Sequence, residues 1–359
     1  MENQSVVSKK NIRSFSKEDL GEYFVEQGEK KFRAQQVFDW VWKKGAKDFD
    51  DMTNLSLPLR SFLKEHFTIT ELHIDDEQKS EDGTIKCGFR LDDNKVVEGV
   101  LIPTPKRLTA CISSQVGCSL SCKFCATGKL KRMRNLGADE IYDQVVAINQ
   151  LCEIHHQKHL SNIVYMGMGE PLLNYKEMLR SIEMITGDDG LGMSPKRITV
   201  STAGIAKMIE KLGDDEVKFN LALSLHAAND EKRNHIMPIN ETNTLEVLAD
   251  ALKYFYAKTG TRVTYEYIIF KGFNDEIQDA RELADFCKHV PCKVNIIEYN
   301  AIDDGEFQQA SKEKVDAFAA FLESRNIVVN IRRSRGKDID AACGQLANKN
   351  EIAKKIEAE

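Results

Sequence analysis

The sequence predicts an α/β protein: a partial (β/α)6 barrel preceded by a small helical accessory domain with a β extension. Three observations predict it. From residue 96 onward, short apolar segments of strand character alternate with amphipathic helical patterns, as expected for parallel strands joined by right-handed crossovers. Before that point the chain reads as short helices and a hairpin. Polar clusters recur just after the apolar segments, where α/β folds bind their ligands.

In chain order, Phe32, Val37, Trp40 and Val41 share one helical face, and Gly45 stops that helix. Leu55, Leu57, Leu59, Phe62 and Leu63 form a second apolar helix ending near His66. A strand pair is expected over 69–74 and 85–91, turning at Glu81-Asp82-Gly83. Strands then follow at 96–102, 109–114, 162–166, 197–201, 220–225, 264–270, 294–299 and 327–332. Helical patterns lie near 137–157, 174–186, 204–213, 243–258, 276–289 and 311–324. This organisation divides the chain into an accessory domain over 1–95, a barrel over 96–345 and a tail over 346–359. A doubly wound open sheet is the alternative arrangement of the same elements.

The composition narrows the class. With 359 residues, 42% hydrophobic content and 17 Phe, most of the chain is not disordered. No segment approaches the roughly 20 apolar residues of a membrane span. The first residues, MENQSVVSKK, lack the apolar region of a secretory leader. A net charge of -6 argues against nonspecific coating of nucleic acid but leaves room for a local basic site. Nine cysteines, an odd number, fit a reducing compartment and hence a cytoplasmic location.

Cys118, Cys122 and Cys125 form a Cys-x3-Cys-x2-Cys run. A closed zinc site wants four ligands, and no further Cys or His lies nearby in sequence. A four-iron cluster held by three thiolates leaves one iron open to a non-protein ligand. A zinc knuckle with a distant fourth ligand, or plainly buried cysteines, are the alternatives. The Gly167-Met168-Gly169-Glu170 segment ends a strand, and by itself reads equally well as a tight turn. Ser201, Ser224, His226 and Asn300 also end strands, where a polar residue serves as often as a cap as a ligand contact. Cys343 sits among small residues in Asp340-Ala-Ala-Cys-Gly344, a segment suited to a tight loop entering a pocket. Cys87, Cys152, Cys287 and Cys292 lie on apolar faces or element ends and read as structural.

The cysteine run, with Phe124 before its last member, is the signature of radical S-adenosylmethionine (SAM) enzymes. Cys111-Ile-Ser-Ser-Gln115, GMGEPL at 167–172, Ser224-Leu225-His226, MPIN at 237–240 and DIDAACGQL at 338–346 resemble the RlmN/Cfr family of RNA adenine methyltransferases. The resemblance spans almost the whole chain, including the N-terminal module. Pro171 follows the RlmN branch, whereas Cfr proteins tend to carry Ala there; Glu98-Gly-Val departs mildly from the commoner Glu-Thr-Val or Glu-Ala-Val.

The resemblance implies a radical SAM barrel with one [4Fe-4S] cluster on Cys118, Cys122 and Cys125, and two SAM molecules per turnover. It implies SAM contacts at Gly169, Glu170, Ser201, Ser224, Leu225, His226 and Asn300. Cys343 is then the methyl carrier and Cys111 the thiol that resolves the covalent RNA adduct. Glu98, otherwise a surface or edge charge, matches a proposed proton acceptor. The implied substrates are C2 of adenine in 23S ribosomal RNA and also transfer RNA. A low-potential donor such as flavodoxin would supply electrons, and the enzyme would be a monomer with no membrane partner. C8 methylation in the manner of Cfr, and a non-enzymatic zinc-binding RNA-recognition protein, are the competing functions.

The chemistry explains why two thiols beyond the cluster ligands are needed. C2 of adenine is electrophilic, so a thiolate takes the methyl group first and thiol exchange releases the product. Residues 106–135 carry Lys106, Arg107, Lys123, Lys129, Lys131, Arg132 and Arg134 without any Asp or Glu. Arg332, Arg333, Arg335 and Lys337 form a second basic run. Both are expected to meet RNA phosphates at the catalytic mouth, the alternative being a solvated face. The accessory domain, with Lys30, Lys31, Arg33, Lys43 and Lys44, is expected to hold an RNA helix by shape while the target base is extruded.

Overall fold

A computed structural model describes residues 9–188 and 190–349. The N-terminal module contains α1 (Lys17–Glu26), α2 (Arg33–Phe38) and α3 (Leu57–His66). The first of these has no counterpart in the sequence reading, although Ser16 caps it by accepting from Asp19 N, and Leu20 and Phe24 bury one face. Helix α2 runs on into a π turn over Asp39–Lys43. Val37 and Val41 face inward as expected, but Phe32 sits at the helix start and stays 54% exposed. Phe24, Val37, Leu59, Leu63 and Phe67 build a separate core here, each such side chain contributing about 1.5–3 kcal/mol.

The central sheet has ten strands in strictly sequential order. They are β1 (His73–Lys79), β2 (Ile85–Arg90), β3 (Val96–Thr104), β4 (Arg107–Cys111), β5 (Asn162–Tyr165), β6 (Ile198–Thr202), β7 (Asn220–Ser224), β8 (Val263–Ile268), β9 (Cys292–Ile297) and β10 (Val329–Arg332). The intervening helices are α4 (Ala138–His156), α5 (Tyr175–Thr186), α6 (Ala206–Asp214), α7 (Asp230–Ile236), α8 (Leu245–Thr259), α9 (Ile277–Phe286) and α10 (Lys312–Glu323). Strands β4 to β10 are all parallel, as crossover helices require.

Two features at the start of the sheet differ from expectation. The first hairpin strand starts at His73 rather than 69, and Thr84 follows its turn. Strand β3 is antiparallel to both neighbours, because only Pro105 and Lys106 separate it from β4 and no crossover fits in two residues. The β extension is therefore hydrogen-bonded into the barrel sheet, while the helical core of the N-terminal module ends at Phe67. The module is held to α4 by a buried ion pair, Arg13 to Asp143 at 2.5 Å, with the guanidinium 4.4 Å from the Trp42 ring centre.

Register sorts the side chains. Parallel partners point to the same face. Cys111 pairs with Val164, Ser201 with Ala222, Ser224 with Glu266, Glu266 with Asn295 and Asn295 with Asn330. One face thus carries a row of polar groups into the lumen. The other carries Val200, Leu221, Leu223, Tyr265 and Val294 against the helices in the main core. Among the described residues no helix is long and apolar enough to cross a membrane.

Candidate active site

The three run cysteines lie on the loop after β4, half-buried. Cys125 begins a short helical turn over Ala126–Lys129. Burial and the neighbouring sulfurs push the Cys122 thiol well up, and burial pushes Cys118 up to about 11. Neutral thiols repelling one another as thiolates are what a cationic inorganic centre would relieve. Among the described residues no three His, Cys, Asp or Glu side chains converge on a single metal-ion position. The donors are three soft thiols with no carboxylate or imidazole, a set that suits zinc or an iron–sulfur cluster, and three donors rather than four would leave one iron of a four-iron cluster open. Beneath the loop, Phe124 meets the His226 ring edge-on at 4.6 Å.

The turn after β5 packs against this loop. Gly169 adopts φ +95, and a Cβ there would meet Gln115 Cβ at 2.5 Å, so only glycine fits. Glu170 is buried, with its oxygens accepting from Leu172 N at 3.0 Å and Ala203 N at 2.7 Å. Burial raises its carboxyl to about 7 against those donors. Both oxygens are thus engaged by backbone. Ser201 and Ser224 hydroxyls lie 3.3 Å apart on adjacent strand ends. Leu225 is buried. His226 Nδ1 accepts from Ile268 N at 3.1 Å, and burial, then Arg233, pulls the imidazole down to about 3. It is neutral at physiological pH.

Cys343 is exposed at the barrel mouth. Its loop is pinned by Ala126 N to Gly344 O at 2.7 Å, Thr127 Oγ1 to Leu346 O at 2.6 Å, and Asn300 Nδ2 to Cys343 O at 3.1 Å. The loop thereby rests on the segment bearing Cys125. The surrounding wall raises the Cys343 thiol to about 11, with Arg332 acting in the opposite direction. Cys111 is buried; burial first and Cys343 second raise it to about 12. Cys111 lies on the lumen face of β4, and the Cys343 sulfur is near enough to disfavour its ionisation.

Glu98 faces that lumen too, since Val100 pairs with Cys111 and Glu98 lies two residues along the same strand. It is fully buried, 3.7 Å from Lys86 Nζ, and its Oε2 accepts from Ala347 N at 2.9 Å and Asn348 N at 3.1 Å. Its Oε1 has no hydrogen-bond partner in the protein. The start of the expected tail is therefore built into the site.

The basic runs do not behave as one surface. Lys106 and Arg107 lie at the start of β4, about 13 Å of strand from Cys111 and on the rim opposite the site. Arg134 is taken up by Glu140 at 2.7 Å and Asp93 at 2.7 Å. Arg332, Arg333 and Lys337 pair with Glu266, Glu298 and Glu298, and Arg335 with Asp82. Lys131 and Arg132 keep no ion pair among the described residues and immediately precede the 65% exposed Met133. Sequence reasoning passed over Lys86, Glu266 and Arg233. A lone acid in the buried Val263–Ile268 strand was a usable signal for Glu266.

A half-barrel of parallel strands with a three-cysteine loop at their C-terminal ends defines a radical SAM enzyme. A radical SAM superfamily model matches residues 112–285. The structure of a radical SAM methyltransferase from Sphaerobacter thermophilus superposes with a TM-score of 0.85 and 38% identity, covering 94% of this chain and 99% of that one. A model of the ribosomal RNA large subunit methyltransferase N-terminal domain matches residues 10–69. The chain is 59% identical to a probable dual-specificity RNA methyltransferase RlmN of Christiangramia forsetii, across 95% of this chain and 97% of the relative. It is 60% identical to the corresponding Cytophaga hutchinsonii protein, across 96% and 94%. The chain belongs to the RlmN family of radical SAM RNA methyltransferases.

Proposed function

We propose that the chain methylates C2 of adenine in 23S ribosomal RNA and in transfer RNA, acting in the cytoplasm as a monomer. The family implies a [4Fe-4S] cluster and SAM. When bound, these supply a methyl group from one SAM and a hydrogen-abstracting carbon radical from a second, with a flavodoxin-like donor providing the electron. The single observation that carries the reading is the pair of thiols outside the ligand run: Cys111 on the lumen face of β4, and Cys343 on a loop hydrogen-bonded to the segment that bears Cys125.

Cys343, at the solvent-open mouth, takes the methyl group as its thiolate. After a hydrogen atom is removed, that carbon joins the adenine ring, and RNA is tethered through the Cys343 sulfur. Glu98, whose Oε1 accepts no hydrogen bond and lies 3.7 Å from Lys86 Nζ, is the acceptor for the C2 proton. The odd electron of the adduct would pass back to the bound redox cofactor as the C2 proton leaves. The Cys111 thiolate then attacks the Cys343 sulfur, the carbon–sulfur bond breaks, and the released carbon takes up a proton to become the methyl group as the Cys111–Cys343 disulfide forms. Gly169, Glu170, Ser201, Ser224, Leu225, His226 and Asn300 shape the SAM site, and the buried Oδ1 of Asn300 is an acceptor open to it.

The two mutants differ in kind. Cys343→Ala protein expressed in cells carries no RNA, because the acceptor is missing. Cys111→Ala protein accumulates covalently bound to RNA, read as a nuclease-sensitive mass increase. RNA on the former, or none on the latter, refutes the assignment. Mass spectrometry of the digested product base separates C2 from C8 methylation. Iron and sulfide analysis separates both from a zinc-binding protein.

A further inference from the structure

Arg233 heads the fully buried side chains by volume, with 0% exposure. Its guanidinium donates from Nε to Leu225 O at 3.1 Å, from Nη1 to Asn240 Oδ1 at 2.6 Å, and from Nη2 to Ala203 O at 2.6 Å and Ser224 O at 3.2 Å. Every one of these acceptors is neutral. The nearest acid in the network, Asp230, is reached only through Asn240, whose Nδ2 donates to Asp230 Oδ1 at 2.7 Å. A full charge taken out of water is costly unless an anion compensates it, and no carboxylate among the described residues touches this one.

The surroundings point to the missing anion. Arg233 lies on α7, and the carbonyl of Ile236 in that helix accepts from Lys123 N at 3.0 Å, fixing the ligand loop to the helix. Ala203, Ile236 and Met237 form one apolar cluster with Phe124, against which Cys122 and Cys125 pack. Burial pulls the guanidinium down to about 10, so it is charged at neutral pH.

We propose that Arg233 is the buried counter-charge of the thiolate-ligated cluster, aligning the ends of β6 and β7 and raising the reduction potential of the centre they face. This rests on the reading of Cys118, Cys122 and Cys125 as cluster ligands. Three thiolates make the assembly anionic, and adding an electron makes it more so. A cation in a water-poor interior favours the reduced form, because net charge and burial set such potentials. Arg233 touches neither substrate nor reacting atoms, so it is a positioning residue.

The test is a redox titration, followed by electron paramagnetic resonance, of the anaerobically reconstituted full chain. Arg233→Met should shift the reduction equilibrium at least tenfold toward the oxidised form, 59 mV more negative for one electron. Arg233→Lys, which keeps the charge but not the hydrogen-bond fork, should stay within threefold of the wild type. Asp230→Asn removes the partly opposing charge while its Oδ1 still accepts, and should shift the equilibrium the other way. An unchanged potential in iron-loaded Arg233→Met, or equal shifts in the Met and Lys variants, overturns the proposal. Should Arg233→Met fail to fold, Asp230→Asn decides: a higher potential supports the counter-charge and an unmoved one overturns it. A wild-type protein that takes up no iron refutes the cluster reading itself, which is distinguishable from a loaded protein with unmoved potential.

Discussion

Asn300 donates from Nδ2 to the carbonyl of Cys343 at 3.1 Å while its own Oδ1 is buried without a partner. One side chain therefore ties down the thiol loop and keeps a second polar atom buried and unsatisfied. Its position at the end of β9 makes this possible, since the strand stops at Ile297 and the chain turns toward the ligand loop.

Removing that amide should loosen the loop and weaken SAM binding together. A lost hydrogen bond of about 1 kcal/mol corresponds to roughly a fivefold change in each. Asn300→Ala should raise the rate of Cys343 alkylation about fivefold and raise the SAM dissociation constant by about the same factor. Mass mapping of alkylated peptides and equilibrium binding check the two effects. If only one of them moves, the amide does not serve both ends.

The Cys343 thiol, held up to about 11 by its surroundings and lowered by Arg332, should react as a thiol that ionises late. Below that value its thiolate fraction grows tenfold per pH unit. Iodoacetamide labelling of Cys343 should therefore accelerate steadily from pH 7 to 10. Arg332→Met should slow labelling at every pH in this range, because the cation favours the thiolate. A rate already flat at pH 8 would contradict the raised thiol.

Much of this architecture is legible along the chain, for a reason the register makes plain. The lumen row of Ser224, Glu266 and Asn295 interrupts apolar strands whose outer residues face helices, so both strand character and site position leave a signal. What was illegible depends on partners distant in sequence. The His73–Lys79 strand, polar but for Ile74, carries no apolar run and exists because Ile85–Arg90 pairs with it. Lys86 and Glu98 become a buried pair only through the register of their hairpin. Arg233 sits in a polar helix, and nothing in that helix foretells four buried acceptors around it.

His226 gives a pH dependence of stability. Its folded pKa, about 3, lies below the ordinary 6.5, because burial and then the Arg233 charge hold the ring neutral. Stability from this group is fully present above pH 6.5 and is lost as pH falls toward 3. At pH 5 the loss is about 2 kcal/mol, one and a half units at about 1.36 kcal/mol each. Denaturant unfolding at pH 7.5 and pH 5 should show this extra loss in the wild type and not in His226→Gln. Parallel pH profiles for the two proteins would rule it out.

Arg132 and Arg134 stand two residues apart and should nevertheless fail differently. Arg134 spans Asp93 and Glu140, both at 2.7 Å, tying the turn between β2 and β3 to the start of α4. Glu140 is also the residue whose carboxylate caps that helix through Gly137 N at 2.8 Å. Reversal to Glu there leaves three carboxylates together, and the expected result is a cost of a few kcal/mol in stability. Among the described residues the Arg132 guanidinium forms no ion pair and one hydrogen bond, to Asn135 Oδ1 at 3.3 Å, so its charge is available to a phosphate. Arg132→Glu should leave unfolding unchanged and weaken RNA binding, reducing the slope of log affinity against log salt by about 0.7–0.9 for the phosphate lost. The comparison is made by thermal unfolding and by binding to a ribosomal RNA fragment over a salt series. If Arg132→Glu leaves the slope unchanged, the mouth does not hold RNA by charge at this loop. If Arg134→Glu lowers the slope with stability intact, its ion pairs open to admit phosphate, and the division of labour argued here is reversed.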